Sequence, residues 1–296
     1  MTRVLVLGGT GMLGHMVLGQ LAKSPRLDVM GSQRSDPSAP GFLDARRGAA
    51  DLRALWDRGD GFEYVVNCLG VTHAVLRERG AEALRDAILV NALFPHELAT
   101  FARERGARVI HVSTDGVFAG GPDAYAEDAP HDSKDPYGKT KSLGEVAASH
   151  VLALRCSIVG PDPSGRRGLL EWFLAQPPGK EVVGYTDHVW HGVTTLQLAR
   201  LFERILAGGV FDALRRGGPA LHFCPNPPVT KFELLRLFGE VFDRCVVVRP
   251  GLAPGGPVRR VLATSSKELA RLRDEATDLR SALGELLAVM RQGGRS

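Results

Sequence analysis

The chain has 296 residues, and its 37 Lys and Arg against 33 Asp and Glu give a formal charge of +4 with histidines neutral. Hydrophobic residues make up 44% and charged residues 24%, an ordinary globular composition that excludes collagen-like, mucin-like and membrane-spanning chains. At this length roughly 75% of the unfolded chain's surface can be buried, enough for a full core without disulfide or metal staples.

In chain order, Val4 to Leu7 is an apolar run without polar alternation, as a strand buried on both faces requires. Glycines then turn the chain into a helix near Gly11 to Lys23, and Leu27 to Gly31 supplies a second strand. Further strands are predicted at Gly41 to Leu43, Tyr64 to Asn67, Arg108 to Val112 and Val151 to Arg155, with helices around Ala49 to Trp56, Glu82 to Arg105 and Tyr137 to Ser149. This alternation predicts an α/β, Rossmann-like, doubly wound parallel sheet over residues 1–160. After Gly160 the prolines at 161, 163, 177 and 178 break the pattern, so residues 161–296 read mainly as a smaller C-terminal α/β substrate-binding lobe, some segments of which can return to the first domain. Thr194 and Thr195 are suited to cap a helix over Gln197 to Leu206, and Thr230 one over Phe232 to Phe242. Pro250 to Pro257 reads as a surface loop, and Leu279, Leu283, Leu286, Leu287 and Met290 form a core-facing helical stripe.

The basic pairs Arg46-Arg47, Arg166-Arg167 and Arg215-Arg216 are scattered, which suits isolated phosphates and not a nucleic-acid stripe. Cys68, Cys156, Cys224 and Cys245 lack CxxC spacing and read as reduced core thiols of a cytoplasmic protein. The first apolar run is too short for a signal peptide, and no apolar stretch is long enough for a membrane span. His188 and His191 lack a third patterned ligand, so no metal is expected. Glu127, Asp128, Asp132 and Asp135 read as a solvated acidic loop.

Gly8-Gly9-Thr10-Gly11-Met12-Leu13-Gly14 follows a strand and opens a helix. Glycines here permit a tight turn and a close backbone approach to a pyrophosphate, which the helix N-terminus also attracts. The stretch Gly31-Ser32-Gln33-Arg34 has no carboxylate for a ribose 2′-hydroxyl, and Arg34 with Ser32 suits a 2′-phosphate. NADP(H) is therefore preferred, with NAD(H) as the alternative and Asp36 close by as a countervailing charge. Further on, Tyr137 and Lys141 stand four residues apart on one helix face, where an ammonium can lower the phenol's pKa for acid-base work. Thr114 ends a strand at the sheet's carboxyl edge, where such folds bind ligands.

With GGTGMLG at 8–14, VNCLG at 66–70, VNALFP at 90–95, VSTDGVFAG at 112–120 and YGKTKSLGE at 137–145, the chain resembles the extended short-chain dehydrogenase/reductase superfamily. Within it the chain is similar to the dTDP-4-dehydrorhamnose reductase group of nucleotide-sugar reductases. The resemblance implies NADPH-dependent reduction of a nucleotide-linked 4-keto-6-deoxy sugar. It implies that Thr114 polarises the substrate carbonyl with Asp115 beside it, that Tyr137 is the general acid, and that Lys141 holds the nicotinamide ribose and lowers the tyrosine pKa. Asp44 would face the adenine, Cys68, Leu69 and Gly70 would line the cofactor, and Asn91 would organise the site. Asp44 and Asn91 also read simply as a loop cap and a helix-start residue. Arg260 of the Arg259-Arg260 pair would grip the nucleotide diphosphate, its alternative being a solvated basic pair. Two departures inform the reading: Gly116 stands where the group has Tyr, and it also supplies no second carboxylate of the kind related dehydratases use. An epimerase and a non-catalytic NADP-binding regulatory subunit are the rival readings. A nucleotide sugar is the expected partner, and a homodimer is left open.

Overall fold

Alternate residues of the first strand point to opposite faces, and this alternation divides the core of the computed structural model in two. Residues 1–48, 50–58, 61–163, 168–273 and 278–293 are described. Val4 and Val6 of β1 (Thr2–Leu7), Tyr64 and Val66 of β3 (Tyr64–Asn67), and Ile110 and Val112 of β4 (Arg108–Thr114) enter one apolar cluster. Leu5 and Leu7, Val65 and Val109 enter the cluster on the other face. With β2 (Leu27–Gly31) and β5 (Val151–Cys156), these strands lie parallel in the order β5-β4-β3-β1-β2. The order reverses beside β1, so the loops after β1 and β3 flank the crevice in which open sheets of this kind bind ligands.

The helices of the first half are α1 (Gly14–Leu21), α2 (Ala50–Arg58), α3 (His73–Ala87), α4 (Phe94–Glu104) and α5 (Pro136–Leu143). Three expectations need correction. Gly41 to Leu43 is not a strand: Gln33 bonds Gly41 and Leu43 on either side of one bridge to Phe42, and the chain passes so near Gly31 that a Cβ on Gly41 would stand 2.6 Å from its carbonyl oxygen. The helix predicted over Glu82 to Arg105 begins instead at His73 and is interrupted by a π-helical turn over Ile88–Leu93. Pro95 brings no backbone N–H to this turn, which helps to loosen the ladder there. The helix predicted to reach Ser149 ends at Leu143, where Gly144 passes so close to Asn91 that a Cβ would meet its carbonyl oxygen at 1.9 Å.

The second half contributes β6 (Ile158–Val159), β7 (Glu181–Tyr185), β8 (His188–Trp190), β9 (Val193–Thr194), β10 (Ala220–His222), β11 (Val229–Thr230), β12 (Val247–Gly251) and β13 (Val258–Arg259). Its helices are α6 (Leu169–Leu174), α7 (Thr195–Ala207), α8 (Phe211–Arg216), α9 (Lys231–Val241), α10 (Lys267–Arg271) and α11 (Leu279–Gln292). Reciprocal capping boxes start two of them: Gln197 N–H donates to Thr194 Oγ1 at 3.1 Å, and Glu233 N–H to Thr230 Oγ1 at 3.1 Å. Leu279, Leu283 and Leu286 of α11 are buried as the stripe predicts. β10 joins the large sheet beside β5, and α7 packs on α1, so both return to the first domain. The remaining strands form small sheets, β11-β8-β13, β12-β7 and β6-β9. β12 takes Pro250 and Gly251 of the predicted 250–257 loop, and β13 begins directly after it. The Arg166-Arg167 pair and Ala49 lie outside the described residues.

Cys245 is exposed, against the expectation of a core thiol, because it follows α9 on the surface; Cys156 and Cys224 are buried and Cys68 is half-buried. Phe202, the central side chain of α7, is fully enclosed. Phe202→Ala should lower the unfolding free energy by about 3–5 kcal/mol in urea titrations.

Candidate active site

The glycine loop turns at Gly8, whose φ of +81° favours glycine, and Ser32 Oγ at the end of β2 accepts the Gly8 N–H at 2.9 Å. A Cβ on Gly14 would stand 2.0 Å from the Gly8 carbonyl oxygen, so α1 packs directly on the turn. Gly11 has no atom nearer than 3.5 Å to a Cβ, which leaves the outer side of the loop open to a close-approaching group. Thr10 is exposed, Met12 half-buried, and Leu13 has its side chain in the core. The next crossover stands alongside: a Cβ on Gly8 would meet Leu69 Cδ2 at 3.1 Å and the Cys68 carbonyl carbon at 3.4 Å. These residues fit a dinucleotide pyrophosphate on the N-terminus of α1.

Other cofactor-side residues are engaged within the protein. Ser32 is 2% exposed beneath the loop, whereas Arg34 is exposed. Asp44 caps a short 3-10 turn, accepts from Arg46 N–H, and pairs with the Arg46 guanidinium, whose hydrogen bond holds its carboxyl below the usual range. Asn91 is fully buried in the π turn: its Oδ1 accepts from Val71 N–H at 2.8 Å, and its Nδ2 donates to Val71 O at 2.9 Å and Thr140 Oγ1 at 3.2 Å. Asn91 thus fastens the Gly70–Val71 loop to the helix that carries Tyr137 and Lys141.

At the carboxyl end of β4, Thr114 Oγ1 donates to Asp115 Oδ1 at 3.1 Å and accepts from Gly116 N–H at 3.0 Å. Asp135 caps α5 by accepting the Gly138 N–H at 2.9 Å. A Cβ on Gly116 would lie 3.2 Å from the Tyr137 ring, so the glycine sits against the phenol's face. Burial pushes Tyr137 up to about 12; the Thr114 hydroxyl opposes the rise, while Asp115, Cys156 and Asp135 add to it. The net shift is thus upward, opposite to the lowering that the resemblance implies. Lys141 is 3% exposed, and its Nζ donates to Val112 O at 2.7 Å and stands 3.4 Å from His111 Nε2. Burial lowers Lys141 to about 8, against the pull of Glu145, Cys156 and Cys68.

The segment after β13 and the loop after β4 bond as a parallel bridge, Tyr125 N–H to Val261 O and Ala263 N–H to Tyr125 O, both 2.8 Å. This brings Arg260 to the site, where its Nε donates to Phe118 O at 2.7 Å. Lys231, the first residue of α9, joins it. Burial pushes the Asp115 carboxyl up, and Arg260 and Lys231 both oppose that shift. Burial lowers Lys231 to about 8. Lys231 is absent from the sequence reading; its only signal was its place after the Thr230 cap.

The acidic loop is not simply solvated. Glu127 accepts from Thr264 Oγ1 at 2.5 Å and His222 N–H at 3.3 Å, and Asp132 accepts from Ala119 N–H at 2.7 Å. Behind it, Glu145 takes a bidentate grip from Arg155 and the Ser113 hydroxyl at 2.5 Å. Arg155 Nη1 also reaches His222 Nε2 at 3.0 Å and Glu127 O at 2.8 Å. His188 and His191 turn ring nitrogens to the carbonyls of Gly256 and Asn226, both at 3.0 Å.

The family model described as RmlD substrate binding domain matches residues 1–160. A dTDP-4-keto-6-deoxy-D-glucose reductase of Streptomyces niveus is 32% identical over 223 residues, 73% of each chain. A methionine adenosyltransferase 2 subunit beta of Danio rerio is 33% identical over 303 residues, 96% of this chain and 90% of that one. Against three other relatives the chain spans about half their length, 46–48%. Among solved structures, a dTDP-4-dehydrorhamnose reductase of Bacillus anthracis in complex with NADP shares the fold with a TM-score of 0.75 at 15% identity, covering 98% of this chain and 99% of that one. The fold is that of an extended short-chain dehydrogenase/reductase. Within that superfamily the chain belongs to the RmlD family.

Burial, then Arg155, lowers His222 to about 4, so the folded protein keeps it neutral. Between pH 6.5 and 4 the unfolded chain binds a proton that the folded chain refuses, so stability falls with pH across this window, by ~3 kcal/mol. Urea unfolding at pH 7 and pH 4 should show a smaller loss for His222→Gln than for wild type; equal losses would contradict the assignment.

Proposed function

We propose that the protein is an NADPH-dependent reductase of a dTDP-linked 4-keto-6-deoxy sugar. The observation that carries the reading is that Thr114 Oγ1 and the Tyr137 ring both border Gly116 at the carboxyl edge of the sheet, the edge that also carries the open glycine loop. Gly8, Thr10, Gly11, Met12, Leu13 and Gly14 would hold the pyrophosphate, largely through backbone, and Arg34 a 2′-phosphate. Cys68, Leu69 and Gly70 would border the nicotinamide half, and the chemistry supplied when the cofactor is bound is hydride donation. Asp44 is assigned to loop capping, with only its remaining edge turned to an adenine, and Asn91 to holding the loop after β3 on α5.

Tyr137 keeps its Oη proton at neutral pH because burial disfavours the phenolate, which is the state a proton donor needs. As the sugar C4 is reduced, Tyr137 gives that proton to the carbonyl oxygen, and Thr114 Oγ1 orients the same oxygen. Arg260 is the proposed contact to the diphosphate, with Lys231 and Asp115 lining the sugar side. Lys141 is the proposed contact to the nicotinamide ribose. A name such as that of the Streptomyces niveus relative supports the substrate class.

A non-catalytic, cofactor-binding subunit is the second reading, favoured by the similarity to the Danio rerio subunit over nearly the whole chain. The Thr114, Tyr137 and Lys141 set favours the enzyme. We place the enzyme in the cytoplasm; among the described residues no helix is long and apolar enough to cross a membrane. The boundary between cofactor-binding and substrate-binding parts is drawn at residue 160, with α7 and β10 returning across it. A homodimer would cover Leu84, Ile88, Leu93 and Leu143, which are exposed on α3, the π turn and the end of α5. Tyr137→Phe should cut turnover by about 10²-fold or more while NADPH affinity, measured by fluorescence titration, stays within a few-fold. Wild-type turnover in that variant would sink the assignment.

A further inference from the structure

A line of buried polar groups runs from the loop after β3 to the amine of Lys141. Asn67 ends β3 and is paired in register with His111 of β4. Asn67, His111 and Lys141 are 1%, 2% and 3% exposed, so each must find its hydrogen-bond partners within the protein. Leu69 N–H donates to Asn67 Oδ1 at 3.1 Å, Asn67 Nδ2 lies 3.1 Å from His111 Nδ1, and His111 Nε2 lies 3.4 Å from Lys141 Nζ.

Donor and acceptor chemistry decides the protonation along this line. A backbone N–H only donates, so it fixes the Asn67 amide with its oxygen toward Leu69 and its NH₂ toward the imidazole. The NH₂ also only donates, so His111 Nδ1 must offer a lone pair, and the ring proton sits on Nε2. Nε2–H then faces Lys141. An ammonium has three donors and no acceptor, whereas a neutral amine has one lone pair to receive Nε2–H and keeps hydrogens for the Val112 carbonyl, 2.7 Å away.

We propose that His111 is a positioning residue of the reaction site: locked as the Nε2–H tautomer by Asn67 and the Leu69 amide, it presents a donor to Lys141 and so disfavours the ammonium relative to the neutral amine. The groups around the line do not undo this. Toward Lys141 stand Glu145 from α5, Cys156 from β5 and Cys68 after β3; toward His111 stands His96 from α4. Glu145 is already paired with Arg155, and burial raises both thiols, so these cysteines are neutral. Burial and the Lys141 charge hold His111 well below the ordinary histidine range, in agreement with a ring that has no room for a second proton. Lys141 is thus the switchable member of the Tyr137–Lys141 pair, charging as pH falls through about 8. The inference rests on Lys141 belonging to the reaction site, but its test requires no turnover.

The test is NMR of the full-length, cofactor-free protein labelled with ¹⁵N-histidine and ¹³C,¹⁵N-lysine, with signals assigned by their loss in His111→Gln and Lys141→Arg. The expected result is an unprotonated Nδ1 and a protonated Nε2 on His111 from pH 6 to 9, and a Lys141 titration centred near pH 8. A His111 ring protonated at Nδ1 in that range would overturn the proposal. In His111→Gln the amide can turn its oxygen to the ammonium, so the Lys141 midpoint should rise by about one pH unit; an unchanged or lower midpoint would also overturn it. In Asn67→Asp, where a carboxylate replaces the donor, Nδ1 should gain a proton. An Nδ1 that stays bare would contradict the lock. None of these readouts depends on a substrate, so a failed sugar assay leaves the proposal standing and a failed NMR test leaves the reductase reading standing.

Discussion

Glu145 reaches back from the turn after the Tyr137 helix and meets Arg155, which rises near the carboxyl end of β5; both side chains are almost wholly buried. Such a pair survives out of water only if the remaining lone pairs and N–H groups are satisfied, and removing one partner typically costs about 3–5 kcal/mol. The satisfaction here comes from every side of the site. Ser113, the neighbour of Thr114, bonds Glu145; His222 of β10 and the Glu127 carbonyl bond Arg155; and Glu127 itself holds Thr264 of the late segment. The ion pair therefore requires that β4, β5, β10, the loop before α5 and the segment carrying Arg260 come together in one arrangement.

The candidate site residues inherit their geometry from this arrangement. Thr114 is fixed between Asp115, Gly116 and Tyr137 because the strand below it is anchored through Ser113. Arg260 reaches the site because Tyr125 and Leu262 bridge the two halves of the chain. On the cofactor side the corresponding constraint is steric: Gly8 and Gly14 stand too close for a side chain between them, so helix α1 begins directly on the turn. Asn91 connects the two sides by fastening the loop after β3 to α5.

The sheet was legible because two-sided burial leaves unbroken apolar runs, and β2 and β3 fall on their predicted bounds. Periodicity could not show what a carbonyl in a neighbouring element forbids. The helix predicted to Ser149 stops where Gly144 meets Asn91, and the three-residue strand at Gly41 shrinks to one bridge where the chain passes close to the Gly31 carbonyl. The Tyr137–Lys141 spacing was readable, but the turn of the amine toward Val112 and His111 depends on β4, thirty residues upstream in the fold's neighbouring layer. The acidic run misled for a related reason: composition marks Glu127 as solvated, and only the distant Thr264 and His222 make it an interior acceptor. Lys231 carried no local signal beyond its position after a capping threonine.

The central claim is that this edge of the sheet directs a hydride to a sugar carbonyl and retains none of it. The most direct measurement is transfer of deuterium from NADPH dideuterated at the nicotinamide C4 to an enzymatically prepared dTDP-4-keto-6-deoxy sugar, read by NMR of the product. The account predicts one deuterium at sugar C4 for each NADPH oxidised. Deuterium left on the nicotinamide, with the cofactor bound but the sugar unreduced, would contradict it.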